Sequence, residues 1–571
     1  MGRKQMSSSN RREYLTATVL DQGLLDRCAD NLDQKIEMVL DIETPGDTIY
    51  ASNRNKYVGG IFYEALAELP IIKRSIGEWL IPELEFSRLS VPISNVNGRF
   101  NEFNPGGANF GGWIGKRIDM KMGLRDVTAS YFTVYSGFVS DVGGFQRDRA
   151  NFTIITRDFL DKFTKDFPSS VFTSTSFPDI ESGLIGTLAP VIYGDWTVDV
   201  NAVGASIPGY PVNGANAGVL AFTTSVQVYI SSNDNVYLDT ASFILKRGDI
   251  FWPFNSADVS IVTGNRVVDI KQSGNGGVTL VDGSAYQFQT GDVFYCKVKG
   301  QDLGAYDDNL VAQAKHILLT YGGAISGDFD ANWDTYRDKA SPAESAISTI
   351  KSRVYLNEAQ PVMQYVLSML EQVRLEPFPS RDLKLKLFAL HLDEFPSSPS
   401  FTVKNWDIEY SSLTPRLDDR NIWNRAKADY SFDPLLNENR LQTPIFRNSP
   451  AIVQQRKEIS KKVVFPNLYI EADVIYQLKE MLKLASAGSE FIEVNLTQRA
   501  LLLDIGNFIK LNLDFGGIIY ENVPAIIREI GYDPKGRIPV KLWSLQMTPY
   551  PGYTPGYAGT VGGSTATITQ E

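Results

Sequence analysis

A catalytic or metal site in this chain would have to be built from two histidines, two cysteines and 66 acidic residues. His316 falls inside a stretch with helical spacing, and His391 follows a stretch that reads as a strand. Neither belongs to a His-Glu-x-x-His pattern or has a second histidine or cysteine at ligand spacing, so a zinc site is not expected. Asp393 and Glu394 follow His391, a grouping more typical of a surface pair. Cys28 and Cys296 are too far apart for a local metal cage, and neither has a nearby histidine to serve as its base. The sequence has no Gly-x-Ser-x-Gly elbow and no phosphate loop ending in Gly-Lys-Ser/Thr. Among carboxylate pairs, Glu490 with Glu493 and Asp307 with Asp308 are the ones to inspect for glycosidase chemistry, which needs two carboxylates across a cleft. Asn233, Asp234 and Asn235 lack the Asp-x-Asp-x-Asp-Gly pattern of a calcium loop. Arg247-Gly248-Asp249 spells an adhesion tripeptide, which arises readily by chance. The expectation is no catalytic residue, no cofactor and no metal, hence not an enzyme.

The elements that would position these residues are mostly strands. The chain is 571 residues long, too long for one hydrophobic core. Hydrophobic residues make up 43% and charged residues 21%, the balance of folded protein. The many aromatics and 46 glycines suit strands joined by tight turns. The net charge of −11 argues against a surface that coats nucleic acid. It is compatible with a lumen that lets DNA pass, because an acidic wall repels phosphate. The first twelve residues are polar and basic, unlike a secretory signal, and no run is long enough to span a membrane. Synthesis and assembly in a host cytoplasm are expected, without stable membrane insertion.

Periodicity divides the chain as follows. Residues 1–34 form an N-terminal helical arm, with Leu15, Val19, Leu20, Leu24 and Leu25 on one face. Residues 35–165 alternate with period two, as in Met38, Leu40 and Ile42, then Ile118, Met120 and Met122, then Phe132, Val134 and Phe138, and predict a first β-barrel or sandwich. Phe159 to Phe163 is a short helical stretch placed to plug one end of it. Residues 166–196 read as a linker. Residues 197–300 form an inserted β domain, in which Val226 to Ile230 and Val236 to Leu238 read as a hairpin with a polar tip. Residues 301–400 form a small α+β domain, 401–461 an extended arm or linker, 462–550 a second barrel-like unit, and 551–571 a flexible tail. The predicted fold class is therefore β-rich multidomain α+β.

The order of these parts resembles the hub proteins of tailed-bacteriophage tails. The likeness is carried by Asn104-Pro105-Gly106-Gly107, Phe110-Gly111-Gly112-Trp113, Tyr135-Ser136-Gly137-Phe138-Val139 and Phe152 to Asp158, then Pro190 to Trp196, and finally Leu503 to Met547. These segments are similar to the two tail-tube-like barrels of that family and cover about half of the chain. The resemblance implies two such barrels per chain, with the inserted and α+β domains between them. It implies a homotrimer whose barrels make a pseudo-sixfold ring, joining the hexameric tail tube to a threefold spike or fibre. The implied partners are the tail-tube or distal-tail ring protein, the tape-measure protein, the central spike or fibre and baseplate wedge proteins, with DNA only in transit. The implied location is the virion, at the tail tip or baseplate. Alternative readings are another tail ring or wedge protein of the distal-tail type, a receptor-binding or glycan-processing tail protein, and a secretion-system spike built on the same barrels.

Overall fold

The computed structural model describes residues 36–544 and 568–570, except 45, 77–88, 97, 104–106, 110, 126–130, 144–150, 159–162, 176–181, 199–206, 212–224, 230–236, 248–249, 255–258, 264–266, 272–276, 280–283, 288–292, 302, 304–307, 339–349, 381–383, 390–398, 419–421, 488, 516–517 and 534–536. The N-terminal arm, Cys28, Asp307, His391 and the Asn233–Asn235 tip lie outside the described residues. The chain is β-rich, with several sheets and few helices among the described residues.

The first sheet has eight strands in the order Lys56–Val58, Ile61–Ala65, Thr48–Ser52, Ile36–Glu43, Arg117–Leu124, Phe132–Gly143, Asn151–Asp158, Ser90–Ser94. Alternation sets its inner face, where Met38, Leu40, Ile42, Ile118, Met120, Met122, Val91 and Ile93 are buried. Trp113 anchors this core, with the rings of Phe100, Phe103 and Phe152 edge-on to it. After Ala65 the chain runs alongside the far edge. Ser94 donates its amide to Leu66 O at 2.7 Å, and Glu68 donates to Pro92 O at 3.2 Å.

One strand departs from simple alternation. Met120 pairs with Tyr135 and Lys121 with Thr133, so Val134 is an extra residue and the register shifts there. Both Val134 and Tyr135 are buried as a result, and Phe138, expected inside, is 37% exposed. A bulge switches which face the following side chains occupy.

The second sheet runs Phe401–Lys404, Phe508–Phe515, Ile518–Tyr532, Ile538–Ser544, Ser489–Leu496, Thr414–Asp418. All its pairings are antiparallel except the first, which is parallel. Residues 401–418 therefore touch both edges, and Glu409 also donates its amide to Asn495 O at 2.9 Å. Ile72–Ser75, from the chain of the first sheet, joins the second by pairing with Ile518–Tyr532. The apolar faces of both sheets belong to one contiguous core.

A second core is built around helices, with strands packed on them. It brings together Leu310–Thr320, Val362–Glu371 and Glu471–Ala487. The first of these helices starts at Asn309, whose side chain accepts from Ala312 N at 3.0 Å. The last buries Val474, Leu478, Met481, Leu482 and Ala485 at helical spacing. Against it lies a sheet centred on Arg425–Asp433, flanked by Glu438–Gln442, Phe446–Asn448 and Ser460–Phe465.

Several sequence expectations need correction. Residues 401–461, expected to be an extended arm, instead supply strands to two sheets and the helix Ser449–Gln455. The linker 166–196 buries Phe167, Phe172, Val191, Tyr193 and Trp196. Phe163 is buried in the helical core and not in the first sheet's core, so it plugs no barrel end. The tail is not free throughout, because Ile568–Gln570 pairs with Phe446–Asn448. The second sheet also draws on residues outside 462–550. Ser225–Tyr229 and Tyr237–Arg247 form no hairpin with each other. The former pairs with Ile207–Pro211 and Val267–Lys271, and the latter with Ile250–Phe254 and Val293–Lys299. These six strands, with Val259–Thr263, form one seven-stranded antiparallel sheet. Its last strand in sequence returns to the segment that precedes this sheet, where Trp196 donates its amide to Val298 O and Gly300 to Gly194 O, both at 2.8 Å.

Candidate functional site

Among the described residues, those with possible chemistry do not converge. Glu490 is buried and Glu493 exposed, three positions apart on one strand and therefore on opposite faces. Asp308 accepts from the Tyr469 hydroxyl at 3.2 Å and pairs with Lys351 at 3.1 Å, which gives it a structural role. His316 hydrogen-bonds Tyr193 Oη through Nδ1 at 2.9 Å, and burial pushes its pKa down. It borders a shallow cleft with Trp333 and the Lys315–Asp334 ion pair. Cys296 is buried on the strand Val293–Lys299. Among the described residues no cluster of three or more His, Cys, Asp or Glu side chains is placed to hold a metal. No helix among them is long and apolar enough to cross a membrane.

What the sequence does build with care is the seam between the two sheets. Ile72–Ser75 runs antiparallel to Ile518–Tyr532, with Ile530 opposite Arg74 and Tyr532 opposite Ile72. Ile76 extends the contact by donating its amide to Arg528 O at 2.9 Å. Arg74 is 5% exposed; its guanidinium donates to Asp504 at 2.6 Å and to Pro379 O. Arg528, also buried, forms a two-pronged pair with Glu376. Glu376 and Pro379 sit on Leu375–Pro379, which pairs with Leu385–Ala389. This hairpin therefore receives a buried arginine from each side of the seam. A planar guanidinium suits the task because its fork satisfies two acceptors at once in fixed geometry.

Electrostatics at the seam reach one neighbour. Burial pushes the Glu371 carboxyl up to about 7, and the Glu376 charge adds to the effect while Lys461 opposes it. Gly506 makes the turn into Phe508–Phe515 at φ +75°, and a Cβ there would stand 3.0 Å from the Phe378 ring. Gly194 is tighter still. It lies at φ +81°, and a Cβ would meet Ser352 O at 2.1 Å.

A second polar cluster fixes the outer face of the first sheet. Glu37 is buried and receives Lys56 at 3.3 Å, Arg125 at 2.5 Å and Arg54. Asp41 accepts from the Tyr63 hydroxyl at 2.8 Å and pairs with Lys121. Burial pulls Lys56 down to about 8, with Arg54 and Arg125 adding to the fall. These bonds clamp the Lys56–Val58 and Ile61–Ala65 hairpin over Val39. Its other face exposes Tyr57 and Phe62, whose ring centroids lie 5.0 Å apart.

Sequence reasoning singled out none of Arg74, Arg528 or Glu37. Arg528 stands close to Ile526, Ile527 and Ile530, whereas Arg74 and Glu37 lie in strands that carry other charges, so only Arg528 left a signal.

No protein-family model matches the chain, and no curated protein matches it. Among solved structures, it is similar to the tail protein from Neisseria meningitidis MC58, at 10% identity and TM-score 0.40, with 89% of this chain and 96% of that one covered. It is also similar to the 43 kDa tail protein of prophage MuSo2 from Shewanella oneidensis, at 9% identity and TM-score 0.39, covering 90% and 98%. A chain of the native gene transfer agent virion gives 11% identity and TM-score 0.38 over 66% and 88%.

Proposed function

We propose that this chain is a structural component of a bacteriophage tail, a hub at the tail tip whose copies close into a ring. The observation that carries the reading is a pair of mostly antiparallel sheets that share one core, with Ile72–Ser75, from the chain of the first, pairing into the second. In this reading each sheet closes into a tube-type barrel. The bonds of Leu66 and Glu68 to the Ser90–Ser94 edge support closure of the first, and the path of residues 401–418 along both edges supports closure of the second. Closure removes free strand edges, which a ring component must not offer to stray partners. The sequence resemblance to hub proteins points the same way. Residues 197–300 are then an insertion, the helical core is the body that carries it, and three chains present six barrels around an axis.

The partners in this reading are the tail tube or distal-tail ring above and a spike or fibre below, with tape-measure and wedge proteins alongside and DNA passing through the lumen. The protein does no catalysis in this role. The decisive measurement is particle mass and symmetry of the purified chain. Three copies around an axis support the hub, six point to a distal-tail ring, and a stable monomer with turnover on glycan substrates sinks both.

A further inference from the structure

The sheet centred on Arg425–Asp433 has one face on the helical core and one turned away from it. Ala426, Ala428, Tyr430, Phe446 and Phe465 are buried in that core. Alternation then puts Arg425 and Lys427 on the opposite face. Register carries this face into the neighbouring strands. Arg425 stands opposite Arg447 on one side and Ser460 on the other, and Lys427 stands opposite Lys462. Two rows of like charge therefore lie side by side, roughly 5 Å apart across the strands and 7 Å along them. Like charges directly opposite each other work against strand pairing. Arg447 and Lys462 are exposed, and Arg425 and Lys427 are half-buried.

Two carboxylates answer part of this charge. Arg425 pairs with Glu458 at 3.2 Å and Lys462 with Asp429, while among the described residues no carboxylate pairs with Lys427. Four cations against two carboxylates leave this face positive on a chain whose net charge is −11. Val464, two residues beyond Lys462 on the same face, is 49% exposed.

We propose that this face docks an acidic segment of a partner protein. Carboxylates on every second residue of an extended segment repeat at about 7 Å, the spacing of the cation rows. Charge complementarity selects such a partner and speeds encounter with it. Glu458 and Asp429 repel a phosphate backbone at two points of the patch, and Val464 adds an apolar contact that a protein can use. The inference does not depend on the ring reading.

The test follows binding of a fluorescent oligoglutamate to the full chain at about 20 mM and about 300 mM salt, with an oligothymidylate of equal length as the phosphate counterpart. Saturable oligoglutamate binding at low salt, lost at high salt, is expected, and no binding overturns the inference. Lys427→Glu with Lys462→Glu should weaken binding at least tenfold. The same two charge reversals at exposed Arg99 and Arg537 should weaken it less than twofold. Equal loss from both pairs means that net charge alone governs binding, and overturns the patch. Tighter binding of oligothymidylate overturns the protein partner. Lys427→Gln guards against misfolding. It removes one cation from a like-charge row, so its urea midpoint should not fall while oligoglutamate binding weakens at least threefold. A lower midpoint with unchanged binding makes Lys427 structural and overturns the inference. Loss of self-association by Lys427→Glu with Lys462→Glu in sedimentation makes a second copy the occupant and overturns a separate partner.

Discussion

Arg74 keeps a charge where water is nearly absent, and it does so because Asp504 and Pro379 O take up its donors. Removing one member of such a pair strands the other. Arg74→Ala is expected to cost roughly 2–4 kcal/mol, read as a lower urea midpoint, and Arg74→Lys should recover only part because one ammonium cannot serve both acceptors in the same fork. Glu371 gives a pH signature of its own. Its folded value, about 7, lies above the ordinary carboxylate range, so its share of stability is complete at low pH and is lost as pH rises through about 7. Glu371→Gln should therefore raise the midpoint at pH 8 and leave it nearly unchanged at pH 4. His316 acts in the opposite sense. Burial holds it below its ordinary value, so stability is complete above about pH 6.5 and declines as pH falls below that. His316→Gln should flatten this acid-side decline in a series of melts.

At the scale of elements, turns into strands are the vulnerable points. Gly506 combines positive φ with a ring packed where a Cβ would go, so Gly506→Val is expected to cost about 2 kcal/mol. A Gly506→Val melt matching the parent's would show that the turn relaxes freely. Much of the element pattern was legible in the sequence. The alternation at Met38–Ile42 and Ile118–Met122, the helical spacing at Leu310–Leu318 and the apolar stripe from Val474 all correspond to the elements formed. Pairing was less legible, because alternation marks a strand and its faces but not its neighbour. Val226–Val228 and Leu238 look like two halves of a hairpin, yet their partners come from Val267–Lys271 and Val293–Lys299. The bulge at Val134 hid the exposure of Phe138, since one extra residue inverts the pattern without changing composition. Residues 401–461 looked like an arm because strands such as Glu438–Gln442 are polar along most of their length and Ser460–Phe465 opens on three polar residues. The seam was invisible for a related reason, as its members lie on segments hundreds of residues apart.

At the scale of the molecule, the proposed ring brings together copies that each carry −11, against their own charge. Assembly should tighten as salt rises from about 10 mM to 150 mM, because the screening length falls from roughly 30 to 8 Å. Sedimentation over that range checks this, and weakening with salt would mean that complementary charges hold the copies together instead. The pairing of Ile72–Ser75 into the second sheet also sets a schedule. Arg74 and Asp504 are 430 residues apart, so the second sheet cannot be finished until nearly all of the chain exists. At about 5–20 residues per second of synthesis, Ile72–Ser75 waits roughly 20–90 s for its partner. During that interval a nascent chain carries an unfilled β edge, and the order of manufacture, more than final stability, decides how many chains need a chaperone.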